Sequence, residues 1–268
     1  MIKSNFHTHS TFCDGCDSVE DIVKVAIKKG FNYLGFSSHS YIEGDDTWTL
    51  KKHDFKSYVK EVLRVKEKYK ADIKIFCGIE QDLISKQYPF KFDYIIGSMH
   101  SIEKDGKVYS LDYNVETFKN LLENIYSNDF NALCKDYYQQ IKQVAIKTNA
   151  NIIGHFDLIT KFVQELNLSL PKNYLNYAKE AVSHLLKRTK IFEINTGAMV
   201  RGYRATPYPQ KEILKFIFEN GGQIMINSDC HQKDFLDYGF NEAESLAKSV
   251  GFTTHVVVTN EGLKLVEI

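Results

Sequence analysis

Nine residues of this chain combine a type and a placement that suit metal chemistry: His7, His9, Asp14, His39, Glu80, His100, His155, Asp229 and His231. His7-Thr8-His9 opens the set, at the end of the apolar run Ile2 to Phe6. Successive side chains on a strand face opposite ways, so His7 and His9 point in the same direction. Taken alone, such a pair could be two surface histidines. The same kind of stretch returns at the end of one apolar run after another. Imidazole and carboxylate without thiolate is a donor set for Zn, Fe or Mn. One tetrahedral ion takes about four ligands, so nine candidates suit two or three ions that share a bridging carboxylate. The set holds six of the nine histidines; His53, His184 and His255 lie outside the pattern and read as ordinary residues.

These residues need strands to position them, and apolar periodicity predicts such strands. Strands are expected at 2–6, 33–37, 73–78, 92–97, 152–154, 191–194, 223–227 and 256–258. Ser18 with Asp21 resembles a capping box and Gly30 a helix stop, which predicts a helix to Lys29. Further helices are expected over 54–69, 115–125, 133–148, 173–186, 210–219 and 241–249. Strands alternating with helices predict a parallel sheet. The number of units predicts an α/β barrel of the TIM type, in which strand C-termini meet on one face. The absence of a G-x-G-x-x-G turn after the first strand counts against an open dinucleotide-binding sheet. The whole chain, 1–268, reads as one such domain with a helical insertion at about 105–149.

Composition excludes several classes. With 34 basic and 34 acidic residues the net charge is zero, which argues against a nucleic-acid-binding face. The five cysteines are an odd number in a long chain, so a reducing, cytoplasmic setting is expected and not a disulfide framework. Cys13-Asp14-Gly15-Cys16 is a lone C-x-x-C without a second half. Cys77 and Cys230 read as small core residues. No run is long and apolar enough for a membrane span.

In order along the chain, His7-Thr8-His9-Ser10, Cys13-Asp14-Gly15, Ser38-His39-Ser40, Gly78-Ile79-Glu80, Gly97-Ser98-Met99-His100-Ser101, Gly154-His155-Phe156-Asp157 and Ser228-Asp229-Cys230-His231 resemble the PHP family (polymerase and histidinol phosphatase), in its histidinol-phosphate phosphatase branch. The resemblance implies a distorted (β/α)7 barrel and three divalent metal ions. Carried onto this chain, it implies one ion on His7, His9, Glu80 and Asp229, a second on Glu80, His100 and His155, and a third on Asp14, His39 and His231. Many relatives carry histidine where this chain has Asp14, which adds negative charge there. The activity implied is hydrolysis of L-histidinol phosphate in histidine biosynthesis, through a hydroxide held between metal ions, with Glu80, Asp229 and His231 as the catalytic group.

A phosphate ester also needs fixed cations. Arg201 and Arg204 are expected to bind it, since guanidinium matches phosphate bidentately, with Lys161 and the Ser101 hydroxyl as further contacts. Glu43, Asp45, Asp46 and Gln81 are the candidate partners for the substrate amine and imidazole, and the loop carrying Trp48 is a possible lid. The rival readings are a PHP phosphatase or phosphodiesterase acting on small nucleotides, and a non-catalytic PHP module.

Overall fold

The computed structural model describes residues 2–45 and 47–268. The chain alternates β1 (Ser4–Asn5), α1 (Val19–Lys28), β2 (Tyr33–Phe36), α2 (Phe55–Lys68), β3 (Lys74–Asp82) and β4 (Tyr94–Ser98). An antiparallel hairpin of β5 (Ser101–Lys104) and β6 (Lys107–Ser110) interrupts the alternation. After it come α3 (Val115–Asn120), a π-helical turn at Leu121–Ile125, α4 (Phe130–Ile141) and α5 (Val144–Thr148). Alternation resumes with β7 (Ile152–Ile153), α6 (Tyr174–Leu185), β8 (Ile191–Asn195), the one-turn α7 (Gly197–Val200), α8 (Lys211–Glu219), β9 (Gln223–Asn227) and α9 (Phe240–Val250). A second hairpin, β10 (Thr254–Thr259) and β11 (Gly262–Glu267), follows.

Local chemistry accounts for the elements. Ser18 caps α1 by accepting from the Asp21 amide at 3.1 Å, and Gly30 leaves the helix at φ +72°. Val19, Ile22, Val23 and Ala26 form its buried stripe, the period of a helix lying on a sheet. The barrel strands are short and buried on both faces, as parallel strands under helices must be.

The seven strands β1-β2-β3-β4-β7-β8-β9 pair in parallel in that order. The ring is nearly closed beyond the strand ends. Thr8 bridges Cys230, the His9 amide donates to the Cys230 carbonyl at 2.8 Å, and the Cys230 amide donates to the His7 carbonyl at 3.1 Å. Inside, Phe6, Phe76, Tyr94, Ile96, Ile152 and Met225 form a buried apolar cluster. Tyr94 crosses the interior with its hydroxyl 2.6 Å from the Phe6 carbonyl oxygen. Gly35 and Gly78 make room for it, since a Cβ on either would come within 2.3 Å of the tyrosine.

The expected strand at 256–258 is present within β10, and one strand boundary is corrected. The final strand adds nothing to the barrel sheet. β10 pairs only with β11, and Val256, Val257 and Val258 join the interior cluster. β3 does not stop at Gly78 but runs on to Asp82, because β4 pairs with it from Gly78 to Asp82.

β10 also carries His255, 2% exposed, whose Nδ1 has no hydrogen-bond partner among the described residues. Burial holds its pKa down at about 4, despite Glu244 nearby, against roughly 6.5 in an unfolded chain. The folded state therefore binds this proton less well than the unfolded one. The contribution to stability is fully present above about pH 6.5 and is lost as pH falls through the folded value. At most it amounts to roughly 3 kcal/mol. The variant His255→Gln should flatten the pH dependence of urea unfolding across that window. A slope equal to wild type would show that His255 does not carry it.

Candidate metal centre

The strands deliver the nine residues predicted from sequence into one cluster. His7 and His9 follow β1 on the same face, while Thr8 between them turns its hydroxyl to the Gly35 carbonyl. His39 follows β2 and bridges Glu80 on β3. His100 follows β4, His155 follows β7, and Asp229 and His231 follow β9. Asp229 sits at φ +52°, a conformation rare for a residue with a side chain and one that tends to mark functional sites. Gly197 gives its carboxyl room, because a Cβ there would lie 2.7 Å from Oδ2.

Glu80 is the centre of the cluster and is fully buried. Its Oε2 lies 2.7 Å from His39 Nδ1, 3.1 Å from His7 Nε2 and 3.5 Å from His9 Nε2. Its Oε1 lies 2.9 Å from His155 Nε2 and 3.3 Å from His100 Nε2. Asp229 Oδ1 is 3.3 Å from His9 Nε2 and 3.6 Å from His7 Nε2. Asp14 Oδ2 is 3.2 Å from His231 Nε2, and Asp14 Oδ1 is 3.6 Å from His39 Nε2.

Donor atoms within 4.8 Å of one another form overlapping groups. One is His9, Asp14, His39 and His231; another is His7, His155 and Asp229; Glu80 joins His7 and His9 in a third and His39 and His100 in a fourth. The third ligand set implied by resemblance thus gains His9 as a neighbour, and His7 stands nearer His155 than that partition supposed.

The cluster passes a test of fit for metal. His7 Nε2, His9 Nε2 and Glu80 Oε2 are buried and have no hydrogen-bond partner among the described residues, although they face one another. Buried polar atoms left unpaired cost about 1–3 kcal/mol each. A cation in their midst would satisfy all three at once.

The charge states agree. Burial raises the carboxyl pKa of Glu80, but His39, His7 and His100 outweigh it and hold Glu80 well below the carboxylate range. Asp229, beside His7 and His9, and Asp14, beside His39 and His231, are likewise lowered against burial. Burial and the neighbouring His39 and His231 push His9 down to about 3, so its ring is neutral and free to ligate. Burial opposes protonation of His7 too, but Glu193, Glu80 and Asp229 raise it well above the usual range. Metal would compete with a proton there.

A further layer, not predicted from sequence, aims the imidazoles. Glu193 on β8 takes His7 Nδ1 at 2.6 Å and Asn227 Nδ2 at 2.9 Å on one oxygen. Its other oxygen takes the His155 amide and Asn195 Nδ2, both at 2.9 Å. Asp82 takes His100 Nδ1 at 2.9 Å and the His100 amide at 3.0 Å. Cys13 Sγ lies 3.4 Å from His9 Nδ1, and the Asp229 carbonyl oxygen 2.9 Å from His231 Nδ1. In each case the opposite ring nitrogen faces the cluster. This is how proteins fix ligating histidines. A lone acid within Ile191-Phe192-Glu193-Ile194, and Asp82 two residues beyond Glu80 on the same strand face, are signals that could have marked both carboxylates.

A cavity of about 510 Å³ opens above the cluster. Arg201 and Lys161 line it. The Arg201 guanidinium lies 3.4 Å from Asp229 Oδ2. Lys161 Nζ donates to the Asp112 carbonyl at 2.7 Å and lies 3.3 Å from its carboxylate. Arg204 departs from expectation. Its guanidinium turns outward from the cavity to Asp157 at 3.7 Å, Thr160 and the Pro207 carbonyl. Ser101 is also absent from the wall. It is buried in β5, opposite Ser110, which does line the cavity.

Of the described residues expected to meet amine and imidazole, Asp45 alone lines the cavity, with Oδ2 2.6 Å from Trp48 Nε1. Glu43 is exposed and paired with Lys86 at 2.9 Å, and Gln81 bonds to Ser85 and the Lys86 carbonyl. Asp46 lies outside the described residues. Trp48 stands edge-on to His39 and His100, at 4.7 and 5.3 Å between centroids. Asp112, delivered by the unpredicted hairpin, is a second acid on the wall. Its signal was hidden because the hairpin itself was not expected.

A parallel, TIM-like barrel whose mouth gathers histidines and carboxylates around one shared glutamate is the architecture of a metal-dependent enzyme. More particularly, the chain belongs to the PHP domain family, whose model matches residues 5–197. It is 27% identical to a probable histidinol-phosphatase of Schizosaccharomyces pombe, over 92% of this chain and 87% of that protein. It is 23% identical to the histidinol-phosphatase of Bacillus subtilis, over 90% of this chain and 97% of that one. In fold it resembles the histidinol phosphate phosphatase of Lactococcus lactis, solved with Zn, L-histidinol and phosphate (TM-score 0.68, 22% identity, 98% of both chains). Among the described residues no helix is long and apolar enough to cross a membrane.

Proposed function

We propose that this protein is a metal-dependent phosphoric monoester hydrolase that converts L-histidinol phosphate to L-histidinol and phosphate. The observation that carries the reading is Glu80, whose two oxygens face two different sets of imidazoles, of which His39, His100 and His155 line a substrate-sized cavity. The likeness to histidinol-phosphatases supports the choice of substrate. We read the whole chain as one domain and the nine clustered residues as ligands for three divalent ions, Zn, Fe or Mn. Bound there, the metals would supply an activated water and neutralise charge growing on the phosphoryl oxygens.

The protein's own groups do the rest. Arg201, beside Asp229 and His231, binds the phosphoryl group and sets its orientation in the mouth of the barrel. Lys161 adds positive charge to the cavity wall. Asp229 is held as a carboxylate, so His231, which Asp14 and Asp229 raise against the effect of burial, is the group we assign to pass a proton to the departing alkoxide.

Substrate choice falls to the wall above. Burial would raise the Asp112 carboxyl, but Lys161, His100 and His155 hold it below the usual range. It is therefore a carboxylate ready to meet an ammonium group. Aromatic surface from Trp48 and Tyr113 flanks the space for the imidazole. The test is kcat/KM for L-histidinol phosphate, AMP and 4-nitrophenyl phosphate on the metal-loaded enzyme. L-Histidinol phosphate should be preferred, and a preference for AMP would reject the assignment. Asp112→Asn should cut the preference over 4-nitrophenyl phosphate by about tenfold, roughly 1.4 kcal/mol. An undiminished preference would move amine recognition to Asp45.

A further inference from the structure

Tyr208 belongs to the segment between α7 and α8, and neither metal binding nor amine recognition gives it a role. Two backbone hydrogen bonds, both 2.9 Å, tie it to Asn195 at the end of β8. The Arg204 guanidinium lies against its ring at 4.3 Å from the centroid, and His155 stands edge-on at 6.4 Å. The ring is therefore clamped from backbone and from both sides. It is 2% exposed and lines the cavity over the metal cluster. Yet its hydroxyl has no hydrogen-bond partner among the described residues.

A desolvated hydroxyl without a partner costs free energy, and a folded protein that keeps one commonly has a use for it. The phenol is held at a defined point by groups that gain nothing from the hydroxyl themselves. We propose that the Tyr208 hydroxyl donates a hydrogen bond directly to the phosphoryl group of the substrate. This rests on the reading of the protein as a phosphate monoester hydrolase.

Three observations favour a phosphoryl oxygen as the acceptor. Arg204 and Arg201 act on the hydroxyl against Asp157 and Asp112; those two carboxylates are already paired with Arg204 and Lys161, which leaves Arg201 to attract an anion. Burial pushes the phenol well above its ordinary range, so it keeps its proton and serves as a donor at neutral pH. Arg201 on the same wall is the cation already facing the metal cluster. Phenol and guanidinium would then hold the phosphoryl group together. Arg204, expected from sequence to grip phosphate itself, here backs the tyrosine ring instead.

The experiment compares wild type with Tyr208→Phe, both loaded with metal. Inorganic phosphate is titrated by calorimetry for its dissociation constant. Specificity constants are measured with L-histidinol phosphate and with 4-nitrophenyl phosphate, alongside metal content and melting temperature. Phosphate affinity and both specificity constants should fall roughly tenfold or more, since the lost bond is made to a charged acceptor. Metal content should not change. The melting temperature without phosphate should stay level or rise, because the substitution removes an unpaired buried hydroxyl. A partner internal to the protein would instead show as a lower melting temperature and would overturn the proposal. Tight phosphate binding by wild type that persists in Tyr208→Phe would overturn it too. If wild type itself binds no phosphate, the hydrolase reading falls and takes this one with it.

Discussion

Glu80→Gln should yield a folded protein without measurable phosphatase activity. Glutamine keeps the volume of a side chain that is fully buried, so the barrel has no cavity to absorb. The charge is lost, however, and with it the group that both sets of imidazoles face. An amide nitrogen would now point at ring nitrogens that need a lone pair or a cation between them. Losing about 4 kcal/mol of transition-state stabilisation corresponds to roughly a thousandfold in rate, and loss of a bridging position should reach that. The control is His39→Asn, which removes a residue from the rim of the same cluster. Elemental analysis should show more metal missing from Glu80→Gln than from His39→Asn. Equal residual activity and equal metal in the two variants would remove the case for a bridge.

The second large effect is expected away from the metals. Glu193 accepts from four donors, His7 Nδ1, the His155 amide, Asn195 and Asn227. Glutamine has one oxygen and one NH2 group in that space, so at least one donor must face another. His7 loses the partner that holds its Nε2 toward Glu80. Removing such a carboxylate behind a ligating histidine typically costs ten- to hundredfold in metal affinity. Glu193→Gln should therefore need ten- to hundredfold more metal for half-maximal activity in a chelator-buffered titration. At saturating metal it should recover most of its kcat, which Glu80→Gln should not. A titration curve that overlays wild type would show that His7 is oriented without Glu193.

The cluster of histidines and carboxylates was legible because its signal is local. His7-Thr8-His9 uses strand alternation, and each later member of the cluster except Asp14 lies at or just past the end of an apolar run that a parallel barrel must place in its mouth. What could not be read depended on neighbours distant in sequence. Arg201 and Arg204 stand three residues apart in one loop, and only tertiary contacts decide that the first faces the cavity and the second Asp157. The hairpin that brings Asp112 to the wall has flanks too polar to look like strands. Its turn does carry a signal, since Asp105 and Gly106 both have positive φ (51° and 71°), the pattern of a two-residue Asp-Gly turn. The C-terminal hairpin was half read for the same reason, its inner strand apolar and its outer strand largely exposed.

The seam between β9 and β1 has a consequence for biosynthesis. Asn5 meets Ser228 there through a 2.6 Å hydrogen bond that spans 223 residues. Asp229 and His231 leave the ribosome more than two hundred residues after His7 and His9. Until β9 arrives, β1 has a free edge and its two imidazoles lack the carboxylate across from them. Contacts of such long range form late and slowly in folding. A growing chain therefore holds only a partial, open set of donors through most of its synthesis. Metal capture belongs to the completed ring, and an ion spanning His7, His9 and Asp229 would fasten the first and last strands together like a clasp.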